Sequence, residues 1–287
     1  MLILHCSDVH ITEDYSKVPW LQLGWRRWIA MLELKIGGRG KQYLQAREVL
    51  AQIVHEAEEK GASHLVLSGD LTAYALEREF SGAREALGAI GSDKRRCTVI
   101  PGNHDRYTPA VVAERLFEKY FGPLLESDLP EYRREDGFPF VRLLGDEAAV
   151  VGLGSARVPP LPGLSYGVVG RRQRLALREI VQDPRIRGRA VLVVVHHAPL
   201  TRSGHKDKLS HRLIDGEALF REIPGPRFAL LHGHIHSRYY HPATDRRPHI
   251  FCAGSSTQKG REGYWLIRVE NGQIVGGVQQ VPRRVND

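Results

Sequence analysis

Seven of the fourteen histidines in this 287-residue chain fall in four short clusters: His10, His104, His196 with His197, and His232 with His234 and His236. Each cluster follows an apolar run, and so do Asp8, Asp70, Asn103 and Asp105. Imidazoles, carboxylates and an amide are the donors of metal binding and acid–base chemistry. A lone histidine at the end of a strand is usually a polar tip satisfied by backbone, but a cluster repeated at several strand ends points to a shared centre. Asp70 stands alone at the end of Leu65-Val66-Leu67-Ser68-Gly69. Because a carboxylate has two oxygens and can bridge two cations, Asp70 reads as the link in a two-metal site. Oxygen and imidazole donors without thiolate suit manganese, iron or zinc and do not choose among them. In an extended segment alternate residues point the same way, so Asp8 with His10, and His234 with His236, can each aim two donors at one point. Val9 and Ile235 would then pack away from it.

Five strands must bring these groups together: 2–6, 65–67, 97–100, 190–195 and 228–231. Open α/β sheets place ligands at the carboxyl ends of their strands, which is where every one of these runs releases its polar residues. Helical periodicity over 42–60, 77–90, 109–121, 170–182 and 213–221 alternates with the strands. A hairpin is expected over 138–154 with Gly145-Asp146 in its turn, and a Pro-rich loop over the site at 158–163. After His236 the pattern is strand-like at 248–253, 264–270 and 273–281, with Asn271-Gly272 as a hairpin turn and no further helix. A β-rich finish behind an α/β start predicts two packed sheets with helices outside, in one domain over 1–287.

One segment does not fit the alternation. Residues 18–41 read as an amphipathic insertion, with Leu21, Trp25, Trp28, Ile29, Leu32 and Ile36 in a helical stripe interrupted by Arg26, Arg27, Glu33 and Lys35. The run Gly37-Gly38-Arg39-Gly40-Lys41 lacks the spacing and the hydroxyl residue of a phosphate loop. Trp20, Trp25 and Trp28 among cations have the composition of a segment that lies on an anionic membrane surface or meets a lipid, with the stretch Trp20 to Ile36 as the contact. Packing of the stripe on the protein's own body as a lid is the other reading.

A formal net charge of +8 favours anionic partners such as phosphate esters, acidic lipid or nucleic acid, and phosphoester is preferred over nucleic acid on the donor clusters. The three cysteines sit in apolar runs without C-x-x-C spacing, which excludes a zinc knuckle and suggests a reduced interior. The chain enters its first strand at Leu2 with no basic leader and has no apolar run long enough to span a bilayer, so a cytoplasmic protein is expected, with any membrane contact peripheral to the inner face.

The five motifs D-x-H (Asp8, His10), G-D (Gly69, Asp70), G-N-H-D (Gly102 to Asp105), H-H-x-P (His196 to Pro199) and G-H-x-H (Gly233 to His236) occur in order over residues 1–240. In them the sequence resembles the calcineurin-like metallophosphoesterases, and in size the small bacterial phosphodiesterases among them. The resemblance implies a four-layer α/β/β/α sandwich of two mixed sheets with a dinuclear metal site at strand carboxyl ends. By the family pattern one metal takes Asp8, His10, Asp70 and His236, and the other takes Asp70, Asn103, His196 and His234. It further implies hydrolysis of a phosphoester by metal-held hydroxide, with His104 near the ester oxygen as the catalytic side chain. Many relatives carry an aspartate three residues after the bridging one, paired with that histidine; here the position is Ala73. This makes His104 a phosphate contact rather than a tuned general acid. His197, His232 and Asp105 are candidates for supporting roles behind the metals. Arg157 and the basic loop at His205, with Lys206, Lys208, His211 and Arg212, are candidates for substrate contact. A phosphodiester or pyrophosphate-type substrate, nucleotide or lipid-linked, is the expectation; a phosphomonoester, or a membrane- or partner-binding module with a structural metal site, are the alternatives.

Overall fold

The structure, a computed structural model, describes residues 1–15, 18, 24–28, 39–158, 160–161 and 163–283. Strand β1 (Leu2–Cys6) lies between β2 (His64–Leu67), to which it is parallel, and the antiparallel β10 (Tyr264–Glu270). With β3 (Cys97–Val99) parallel to β2 and β11 (Gln273–Gln280) antiparallel to β10, they form a mixed sheet of order β11-β10-β1-β2-β3. The second mixed sheet has the order β4-β5-β6-β7-β9-β8. Its strands are β4 (Phe140–Leu144), β5 (Ala148–Gly152), β6 (Ala190–Val194), β7 (Phe228–His232), β8 (Tyr239–His241) and β9 (His249–Cys252). β5, β6, β7 and β9 run parallel, which is why these runs are apolar throughout instead of alternating.

The two faces of the second sheet separate cleanly. Phe140, Val150, Leu192, Val194, Leu231 and Phe251 join one core with the first sheet and with helices Ala46–Glu59 and Glu77–Ala86. Their neighbours in sequence, Val141, Val151, Val191, Val193, Leu230 and Ile250, pack on Leu177 and Ile180 of helix Arg171–Gln182. The layers are helix, sheet, sheet, helix, as expected. All five site strands end on the side where the polar clusters emerge.

Three local expectations differ from the structure. The helix expected over 109–121 is two, Pro109–Ala113 and Leu116–Phe121, separated by Arg115 at φ 52°. A straight helix carrying Val111 inward would next bury Glu114 and Glu118; the break instead buries Leu116, Phe117 and Phe121. The helix expected to Ile90 stops at Ala86 and gives way to a 3₁₀ turn, Gly88–Ser92, that opens with Gly88 at φ 56°. β8 is a three-residue edge strand, too short for a period-2 signal. Of the segment 18–41, residues 24–28 form a helical turn and Arg39–Tyr43 a 3₁₀ turn; Trp20, Leu21, Ile29, Leu32 and Ile36 lie outside the described residues. Among the described residues no helix is long and apolar enough to cross a membrane.

Candidate metal centre

Asp8, His10, Asp70 and His234 all have positive φ, between 51° and 71°. For residues with a Cβ this region is strained, and it persists where surrounding structure fixes it, as at functional sites. The expectation that Asp8 with His10 and His234 with His236 share a direction by lying in extended chain is therefore corrected. They converge through left-handed turns instead, each fixed by backbone bonds: Asp8 N–H to the Gly69 carbonyl at 3.0 Å, and His10 N–H to the Asp70 carbonyl at 3.0 Å. The Asp8 carboxylate accepts the His234 N–H at 2.9 and 3.1 Å. Such close approach explains two motif glycines, because a Cβ on Gly102 would strike the Asp70 carboxylate and one on Gly233 would strike Ser7 and Asp8.

Donor atoms gather in three groups, each with its atoms within 4.8 Å of one another: Asp8, His10 and His236; His10, Asp70 and His104; and Asp70, His196 and His234. Asp70 belongs to two of them. In the last group the ring tautomers can be worked out. His196 donates from Nδ1 to the Ser68 carbonyl at 2.8 Å, so in the neutral ring Nε2 is a lone pair. That lone pair faces Asp70 Oδ2 at 3.2 Å and Asn103 Oδ1 at 3.1 Å. His234 donates from Nε2 to the His211 carbonyl at 2.7 Å, which leaves Nδ1 as its lone pair. Acceptors this close require a cation or a proton between them. A proton is one answer: burial opposes a charge on His196, but the Asp70 carboxylate prevails and pushes its pKa up to about 9. A divalent cation satisfies His196, Asp70 and Asn103 together.

The Asp8 group has the same character. His10 Nε2 and His236 Nε2 lie 3.2 Å apart, and Asp8 Oδ1 is 3.4 Å from His236 Nε2 and 4.0 Å from His10 Nε2. Burial opposes charge on Asp8, yet the His236 ring beside it holds its pKa below the usual carboxylate range. Burial and the neighbouring His104 push His10 down to about 3, so His10 is neutral, the form that ligates metal. The donor set fits two divalent ions.

His104 Nδ1 donates to the Ala73 carbonyl at 2.6 Å, so a backbone oxygen stands where relatives are expected to offer a carboxylate. Asp105 is buried and binds the Gly102, Leu71 and Thr72 N–H groups, tying the loop after β3 to the loop after β2; burial and the Asp70 charge push its pKa up to about 6. His197 and His232 are also buried. His197 Nδ1 lies 2.8 Å from Ser155 Oγ and its ring packs on His234, while His232 Nδ1 donates to the Gly233 carbonyl at 2.9 Å. Arg157 and His205 are not brought to this cluster. Arg157 is exposed, binds the Val168 carbonyl at 3.3 Å and faces Asp136 at 4.0 Å. His205 is exposed and lines a separate hollow of about 430 Å³ with Leu200, Lys206, Glu217, Phe220 and Arg247. From the same basic loop, His211 does reach the centre, its ring 4.0 Å from that of His234.

Two supports have little sequence signal. The Tyr43 hydroxyl lies 3.1 Å from His236 Nδ1. Ser255 Oγ donates to the Asp8 carbonyl at 2.8 Å, and Ser256 N–H to the Ser7 carbonyl at 2.9 Å. Ser255 and Ser256 follow β9, which is parallel to β7, so the strand-tip rule that found the other groups applies to them as well.

A family model described as calcineurin-like phosphoesterase matches residues 1–238, while no curated protein sequence matches the chain. Among solved structures, a dimetal phosphatase from Danio rerio superposes with a TM-score of 0.62 at 12% identity, covering 99% of this chain and 99% of that one. The protein TT1561 of Thermus thermophilus gives 0.52 at 14% identity, covering 95% and 98%. A purple acid phosphatase from yellow lupin seeds gives 0.52 at 9%, with 97% of this chain matched to 53% of that one. At these identities the likeness is one of fold. The family match is of another kind, since it runs unbroken from β1 through the turn that carries His236. On that match, the chain belongs to the calcineurin-like phosphoesterases.

Proposed function

We propose that the protein hydrolyses a phosphodiester or pyrophosphate-type bond with two divalent ions, one held by Asp8, His10, Asp70 and His236 and one by Asp70, Asn103, His196 and His234. The observation that supports this reading is the presence of Asp70 in two donor groups, one with His10 and His104 and one with His196 and His234, beside a third group of Asp8, His10 and His236. Bound there, such ions supply Lewis acidity at phosphorus and an activated water. The chain's own contribution is orientation: Ser68, His211 and Tyr43 fix the rings of His196, His234 and His236. The ring of His104 is anchored through Nδ1 and, as an imidazolium, would donate from Nε2 to an ester oxygen.

Preference for a diester follows from charge. A monoester near pH 7 carries up to two negative charges and a diester one, so a monoester site needs cations beyond its metals. The five motifs contain no lysine or arginine. Reconstituted with manganese, the protein should turn over bis(p-nitrophenyl) phosphate with a higher kcat/KM than p-nitrophenyl phosphate. The opposite order with the same metal would make it a phosphatase.

A lipid-linked substrate, reached at a membrane surface, is supported by one further observation. Trp25 and Trp28 are 59% and 42% exposed, and Leu161 is 63% exposed. Arg26 stacks on Trp25 at 5.1 Å and donates to the Pro160 carbonyl at 3.1 Å, which ties these apolar groups to the loop bearing Leu161. Interfacial aromatics beside a cation suit anionic lipid. Vesicles of phosphatidylglycerol are expected to co-sediment the protein and blue-shift its tryptophan emission. Trp25→Ser/Trp28→Ser should abolish both while leaving bis(p-nitrophenyl) phosphate hydrolysis intact. No change with vesicles would leave a soluble nucleotide-type diester as the substrate class.

A further inference from the structure

The turn that follows the candidate bridging residue is held from both sides by groups outside the five motifs. Buried Glu79 accepts the Tyr74 N–H at 2.9 Å and the Leu76 N–H at 3.0 Å on one oxygen, and the Tyr15 hydroxyl at 2.6 Å on the other. Arg27 donates from Nε to the Tyr74 carbonyl at 2.8 Å and from a terminal nitrogen to the Ala75 carbonyl at 3.0 Å. Between these contacts Ala75 sits at φ 55°, a conformation that alanine keeps only when its neighbours impose it. The carbonyl immediately before the clamped pair, that of Ala73, receives the His104 Nδ1–H. Aromatic packing continues the connection: Tyr74 meets Tyr15 and Tyr107 edge-on, and Tyr107 stacks on His104 with ring centroids 5.8 Å apart.

A carboxylate partner on residue 73 would orient His104 through its own side chain, whereas a carbonyl orients it only as well as the backbone that carries it is held. We propose that Arg27 and Glu79 are positioning residues for His104: by fixing the carbonyls and N–H groups of the 73–76 turn, they aim the Ala73 carbonyl at Nδ1 and so set the imidazole's direction. Arg27 lies in the helical turn 24–28, whose neighbour Arg26 holds the Pro160 carbonyl. The described turn 24–28 of the segment that the sequence sets apart is thus joined to the reaction centre, and the Arg27 contacts govern how His104 is presented. This rests on the reading of His104 as a substrate contact.

The test uses the full-length, manganese-loaded protein with bis(p-nitrophenyl) phosphate. Arg27→Ala should lower kcat by roughly tenfold or more, because misorientation of a reacting group by a fraction of an ångström to 1 Å is costly. KM should stay within about twofold, as expected for loss of a contact made in the transition state, and metal content should be unchanged. In a cycle with His104→Ala, the double variant should be no slower than His104→Ala alone. Losses that multiply, or an Arg27→Ala kcat within about twofold of the parent while His104→Ala is slow, would overturn the proposal. A second readout, taken on the zinc-loaded protein because paramagnetic manganese would broaden the line away, is the proton NMR signal of the His104 Nδ1–H, assigned by its loss in His104→Ala. It should disappear or shift upfield in Arg27→Ala and persist in Arg27→Lys, which keeps one of the two carbonyl contacts; an unchanged signal in Arg27→Ala overturns the clamp. If Arg27→Ala does not fold, Arg27→Gln is read on both scales in its place. If His104→Ala is as fast as the parent, the substrate-contact reading has failed, and the NMR arm alone decides whether Arg27 positions the ring.

Discussion

Asp70→Ala is expected to remove both metal ions and to lower turnover of an activated diester by more than about a thousandfold, since most of an acceleration of about a millionfold or more would rest on the ions. The size of the effect comes from shared donors. His10→Ala and His196→Ala each take a donor from one proposed set, and elemental analysis after reconstitution should find close to one ion per chain. Asp70 contributes to both, so its removal should leave none. Asp70 Oδ1 also accepts the His104 N–H at 2.8 Å, which ties the loop after β3 to the same carboxylate. Asp70→Asn separates the two duties, because an amide oxygen can still accept that N–H but carries no charge for a cation. Without metal, this variant should unfold at a lower temperature than the parent near pH 7, because it loses the pairing of the Asp70 carboxylate with the buried His196 ring, which outweighs the repulsion of Asp105 that it relieves. Two ions retained in Asp70→Ala would show that the carboxylate links nothing.

That Asp70 could be singled out at all reflects a fold in which chemistry sits at strand tips. β1, β2, β3, β6 and β7 are short apolar runs, and the residue that ends each run lies on the functional edge almost by construction. Periodicity also marked the helices between the strands, because each carries one apolar face. The backbone of the site was not legible. Spacing by two residues suggests extended chain for Asp8 with His10, but the structure uses left-handed turns, which aspartate and histidine adopt more often than other residues with a Cβ yet still too rarely to be read from sequence. Supports drawn from distant parts of the chain were equally hidden. Tyr43 lies at the start of a helical stretch and Arg27 in an amphipathic segment, and nothing in their neighbours indicates that one meets His236 and the other the turn beside His104. Arg157 and His205 lie outside the donor groups, Arg157 on the Val168 carbonyl and His205 at a separate hollow. The Ser255-Ser256 pair follows the same tip rule as the donors, but it carries hydroxyls, which have no metal-binding signature in sequence.

His104→Ala should keep two metal ions per chain and lose roughly a hundredfold in kcat, the scale of removing one donor aimed at developing charge. Among the described residues the ring binds the Ala73 carbonyl, meets the edge of His10 at 4.8 Å and the face of Tyr107, and lies near the Asp70 carboxylate, and none of these contacts carries the backbone of the other donors' strands. Its removal therefore leaves Asp8, Asp70 and Asn103 where they are. Two substrates then distinguish what the ring does. p-Nitrophenolate leaves without needing a proton, whereas an alkoxide does not, so a proton donor matters far more for an alkyl diester than for bis(p-nitrophenyl) phosphate. A donor aimed at the phosphoryl oxygens matters equally for both. With Nδ1–H given to the Ala73 carbonyl, the ring donates from Nε2 only as an imidazolium in either role, and the second outcome is the one expected of a phosphate contact. The loss in His104→Ala should accordingly be similar for the two diesters. A loss many times larger for the alkyl diester would assign His104 to leaving-group protonation, and turnover equal to the parent's for both would take it out of the reaction.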